Sequence, residues 1–114
     1  MAYPVAELAV ALATSDTSDY VRLVADWLAH GDLDDSEPTP TGLPVPDALV
    51  AAAVAYRCTR TGDRAPAWTS RPDRCLGTFW HPGDDRLFAY SLAHAPTDFL
   101  VRGVVVEQDS LVSV

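Results

Sequence analysis

Three histidines, two cysteines and sixteen carboxylates are the side chains of this 114-residue chain with the most scope for chemistry. His30, His81 and His94 lie far apart, and neither Cys58 nor Cys75 has a histidine or a second cysteine at metal-ligand spacing. No Gly-rich phosphate loop, nucleophile elbow or His-Glu-x-x-His helix occurs. Folding could unite two histidines with Asp84 or Asp85 as an acid–base pair, yet nothing in their spacing enforces it. The adjacent carboxylates Asp34-Asp35 and Asp84-Asp85 could bind a metal or share a proton. Neighbouring side chains point in different directions, however, and solvation or helix capping accounts for both pairs. The expectation is a non-enzymatic protein with no cofactor and no metal, its cysteines buried thiols.

Charge gives a stronger signal. The net charge is −8, and residues 1–47 hold nine acids against one arginine, whereas residues 48–114 hold seven of each. A front end of that sign repels phosphates and favours a basic partner, unless it only keeps the protein in solution. Its densest part runs from residue 32 to 46, with Asp32, Asp34, Asp35, Glu37 and four prolines, a composition that suits a loop. At about fifteen residues the loop exceeds the usual connection length and is expected to be mobile, a contact element or a plain linker.

All eight basic residues are arginines, and five of them fall between Arg57 and Arg74, against Asp63 and Asp73. Near aromatic residues such a cluster can serve nucleic acid stacking. In so acidic a chain, pairing with the acidic loop or with carboxylates of a partner is the better expectation. The candidate partner-binding residues are therefore Asp32, Asp34, Asp35 and Glu37 in the loop, with Arg71 and Arg74 as a second cluster.

The elements that must position these residues read as helices. Ala48 to Tyr56 carries no charge and is rich in alanine, so a helix starting near Pro46-Asp47 and closing at Gly62 should be apolar all round and central. Val5, Leu8, Ala9 and Leu12 form one stripe before it, and Tyr20, Leu23, Val24, Trp27 and Leu28 another, while Asp19, Arg22 and Asp26 face away. Capping residues at 14–18 precede the second stripe, and His30-Gly31 ends it. Beyond the central helix come a Pro/Trp-rich loop, a mostly buried helix from Asp84 or Asp85 to His94, a two-turn helix from Pro96 to Gly103, Val104-Val105-Val106 as at most one short strand, and a last turn capped by Asp109. Trp27, Trp68, Trp80 and Phe99 are assigned to the core. The fold class expected is mainly α: a compact bundle of four to five helices around the Ala-rich one, a single domain over residues 1–114. With no basic leader and no apolar run long enough to cross a bilayer, a cytoplasmic location and no membrane contact are expected.

Several of these pieces recur in a known order. Asp47-Ala48-Leu49-Val50-Ala51-Ala52, Pro66-Ala67-Trp68, Leu76 with Phe79-Trp80, and Ala95-Pro96-x-x-Phe99-x-x-Arg102-Gly103-Val104 ending in Leu111 and Val114 together resemble the C-terminal module of a group of actinobacterial helix-turn-helix proteins, over residues 18–114. The resemblance implies the antitoxin or regulator half of a two-gene system, often encoded beside a nucleotidyltransferase-like toxin. No helix-turn-helix precedes the module here, which puts direct DNA binding in doubt and leaves partner binding as the expected role. The expectation is an antitoxin-like protein that neutralises or regulates a toxin encoded nearby through its acidic surface, a homodimer being compatible with it. The alternative is a DNA-associated regulator using the arginines from 57 to 74.

Overall fold

A computed structural model describes residues 2–34 and 36–112. Among them five α-helices occur: α1 (Val5–Thr14), α2 (Tyr20–His30), α3 (Pro44–Thr61), α4 (Phe88–Ala93) and α5 (Thr97–Leu100), joined by irregular segments with short 3₁₀ turns. The mainly α expectation holds.

α3 is the axis. Every residue from Pro46 to Ala55 is buried, and α1, α2 and α5 all pack on it. Alanines at 48, 51, 52, 53 and 55 keep the helix thin, so neighbours approach from several sides. Gly62 closes it with φ 75°, a left-handed conformation that glycine adopts without strain. The helix begins at Pro44, two residues before the expected start, so the loop expected over residues 32–46 ends at Leu43. Asp47 does not cap α3. Its carboxylate reaches back to accept from Thr41 N and Oγ1 at 2.8 Å and from Gly42 N at 3.2 Å, and so fixes the end of the loop.

The two N-terminal stripes bury as their spacing requires, except that Leu23 is only partly buried. Val5, Leu8, Ala9 and Leu12 of α1 and Tyr20, Val24, Trp27 and Leu28 of α2 join Leu49, Val50, Val54 and Phe99 in one core. The polar run before α2 forms a 3₁₀ turn, Thr17–Asp19, with no side-chain cap.

The C-terminal third departs further from expectation. The helix expected to be mostly buried up to His94 splits into a 3₁₀ turn, Asp85–Leu87, and the six-residue α4; Leu87 is 52% and Tyr90 54% exposed, and only Ser91 is buried. The sides of α3 are already occupied by α1, α2 and α5, so this segment lies outside the main bundle. α5 is a single turn, and Gly103, at φ 84°, redirects the chain where a Cβ would stand 2.8 Å from that of Leu76. Val104-Val105-Val106 is buried but pairs only through an isolated bridge from Val104 to Trp80, so it closes the core without joining a sheet. The last turn, Gln108–Leu111, starts one residue before Asp109, burying Leu111 and leaving Val112 exposed. No helix of the described residues is long and apolar enough to cross a membrane.

Candidate functional site

The structure sorts the candidate residues into an internal knot and an exposed patch. Glu37 is the centre of the knot. Arg71 donates to both of its oxygens at 2.7 Å, a bidentate pair, and Arg74 donates to Oε2 through Nε at 3.2 Å and Nη2 at 3.0 Å. Arg74 is 1% exposed. It also donates to the Pro38 and Asp47 carbonyls, lies 3.8 Å from the Asp47 carboxylate and covers the Trp68 ring at 5.0 Å. A guanidinium has five N–H groups, and four hydrogen bonds are made here, as a buried charge requires. Local sequence explains the burial: Pro66 and Pro72 break the chain into the 3₁₀ turns Ala67–Ser70 and Pro72–Arg74, which fold over the start of α3. A partner cannot reach Arg74 in this fold, which corrects its assignment to a binding surface. Arg71 remains accessible, with its charged form favoured above all by its hydrogen bonds to Asp73, whose own carboxyl is held below its ordinary range by Arg71.

The acidic loop is accordingly strapped down. Glu37 and Pro38 are held by the arginines and Thr41 by Asp47, while Asp34 accepts from Ser36 N in a local turn. Asp35 lies outside the described residues. Of the other arginines expected to form a basic cluster, Arg57 donates to the Gly31 carbonyl and stacks on Trp27, and Arg60 stacks on Tyr56. Among the described residues, Arg60 and Arg64 alone of the five make no hydrogen bond or ion pair.

Asp32 belongs to the exposed patch, whose centre was not anticipated. Tyr3 and Asp32 are doubly tied: Tyr3 N donates to Asp32 Oδ2, and Asp32 N donates to the Tyr3 carbonyl, both at 2.8 Å. The Trp27 indole donates to the same carbonyl at 3.2 Å and anchors this corner to the core. Burial pushes the Tyr3 phenol above its ordinary range, and the negative charges of Asp26 and Glu7 push it further. Carboxylates from α1 (Glu7) and α2 (Asp26) thus act on the half-buried Tyr3 phenol, while that of the loop (Asp32) holds the Tyr3 backbone. Asp32 was expected to meet a partner from the loop and Asp26 to face away from the core; only the packing of three elements brings them together with Glu7.

Sequence reasoning also missed a hydrogen-bonded chain at the other end. His81 Nε2 lies 2.9 Å from Ser91 Oγ, which lies 3.0 Å from Glu107 Oε1. His81 and Ser91 line one cavity, His94 lines another, and Glu107 borders both, so the two histidines do not converge. A lone serine on a short helix and a glutamate ending a valine run carry no periodic signal that would pair them with His81. Among the described residues no group of three or more His, Cys, Asp or Glu is placed to hold a metal ion.

Comparison with known proteins gives no match to a protein-family model, a curated protein or a solved structure. The likeness to the helix-turn-helix-associated module therefore rests on the residues quoted for it.

Proposed function

We propose that this chain is a non-enzymatic, antitoxin-like protein that holds a basic protein partner, a toxin encoded nearby, against its Tyr3-centred acidic patch and thereby neutralises or regulates it. The single observation carrying this reading is the gathering of Glu7, Asp26 and Asp32 around Tyr3. A tyrosine gives a large, stiff contact surface at little entropic cost, and surrounding carboxylates steer a cationic surface onto it. The patch is tied to buried Trp27, so it is presented in a fixed shape. The burial of Arg74 favours this reading over DNA contact, because it removes one of the five arginines a phosphate backbone would meet, and Arg71, though accessible, is already paired with Glu37 and Asp73.

The test is genetic and then biochemical. Co-expression with the neighbouring gene is expected to relieve that gene's toxicity and to yield a complex on purification. A protein that purifies alone and relieves no toxicity would sink the proposal.

A further inference from the structure

The second site worth following is the cleft that His81 and Ser91 line. It has a volume of about 330 Å³ and lies between the Thr17–Asp19 turn, the His81–Gly83 turn and the start of the C-terminal 3₁₀ turn. That volume is at the lower end of small-ligand sites.

The hydrogen bonds inside it run in one direction, towards Glu107. Glu107 accepts, so the Ser91 hydroxyl gives its proton to the carboxylate in a charge-assisted bond. Ser91 Oγ must then accept from His81, which places a proton on Nε2. His81 Nδ1 has no partner and is sealed from solvent. The serine is only 2% exposed and its proton is already engaged, so it is a spacer and not a nucleophile. The chain fixes Glu107 as a half-buried acceptor whose other oxygen makes no hydrogen bond within the described fold.

The rest of the lining sets the ligand. The hydroxyls of Thr17, Ser18 and Ser110 make no hydrogen bond to the described protein and can accept from a guest. Val21, Leu87 and Val106 supply apolar wall. No arginine lines the cleft. Glu107 would repel an anion, and a neutral guest would leave a half-buried carboxylate uncompensated. A cation with several N–H donors and a short apolar stem meets both conditions.

We propose that this cleft binds a small primary alkylammonium compound, its ammonium on Glu107 and the free hydroxyls, its stem against Val21, Leu87 and Val106. The site is independent of the acidic patch.

The test is an NMR titration of the ¹⁵N-labelled full chain with n-butylammonium chloride, n-butanol and sodium butyrate at constant ionic strength. Butylammonium is expected to give saturable shifts at the amides of Val21, Gly83, Leu87, Glu107 and Ser110, with butanol at least tenfold weaker and butyrate inactive. Glu107→Gln keeps an oxygen to accept from Ser91 and should weaken butylammonium at least tenfold while the spectrum stays dispersed. If that variant fails to fold, Ser18→Lys, which puts a competing ammonium at an exposed rim position, should abolish the shifts. Equal responses to butanol and butylammonium, shifts confined to the residues around Tyr3, or undiminished binding by either folded variant would overturn the proposal.

Discussion

Replacing Glu37 by alanine is predicted to destabilise the protein far more than its position in a proline-rich acidic loop suggests. The substitution removes the acceptor of four guanidinium hydrogen bonds and leaves Arg74 inside the protein at 1% exposure. Deleting one partner of a buried ion pair costs about 3–5 kcal/mol, because the remaining charge is stranded. Two features place this case at the lower end: the Glu37 side chain keeps 22% exposure, so water can enter, and the Asp47 carboxylate still stands 3.8 Å from Arg74. The expected cost is about 3 kcal/mol. For a domain of this size 1 kcal/mol corresponds to about 4 °C, so Tm should fall by about 12 °C. Thermal and urea unfolding followed by circular dichroism would measure it. Arg71→Ala, which loses only the exposed half of the knot, should move the midpoint much less. Combining Glu37→Ala with Arg74→Met should recover part of the loss, since the stranded charge is gone. The reasoning is refuted if Glu37→Ala lies within about 1 kcal/mol of wild type, or if the two substitutions simply add.

Two further predictions concern other parts of the molecule. Gly103→Ala must hold an L-residue at φ 84° and press a methyl group against Leu76, so a loss of about 2–4 kcal/mol is expected in urea unfolding; a loss below about 1 kcal/mol would show that the turn relaxes. The Tyr3 phenol should ionise above the ordinary tyrosine range, and Asp26→Asn should bring it down, as read by ultraviolet or NMR titration. The sign for stability follows: as pH rises through the ordinary phenol value the unfolded chain loses its proton first, so the fold loses this contribution between that value and the higher folded one. An unchanged titration in Asp26→Asn would remove Asp26 from the patch.

Much of the bundle was legible in the residues themselves. The stripes of α1 and α2 and the uncharged run of α3 fix which faces are buried, because a helical period leaves little choice about where Leu8, Trp27 or Val54 can go. The end of α3 was equally plain, since Gly62 suits a left-handed position. The exposed α4 was misread because Leu87, Tyr90 and Ser91 share one side at helical spacing and Phe88 and Leu92 widen it, and nothing local reveals that the central helix has no side left to offer. At the site, the pairing of the arginine cluster with the acidic loop was foreseeable from charge. The depth of Arg74 was not, because burial of an arginine depends on the carbonyls of Pro38 and Asp47, supplied by a remote part of the chain. The patch around Tyr3 and the chain through Ser91 were illegible for the same reason: each joins single residues of separate elements.

The most direct test of the central claim is isothermal titration of this protein with the product of the neighbouring gene, comparing wild type with the double charge reversal Glu7→Lys/Asp26→Lys. Glu7 is exposed and Asp26 half-exposed, so the variant should keep its fold. The account predicts binding by wild type that weakens as salt is raised and a loss of at least a hundredfold in the folded variant, about 2.7 kcal/mol. Binding unaffected by both salt and charge reversal, or no binding by wild type, would contradict it.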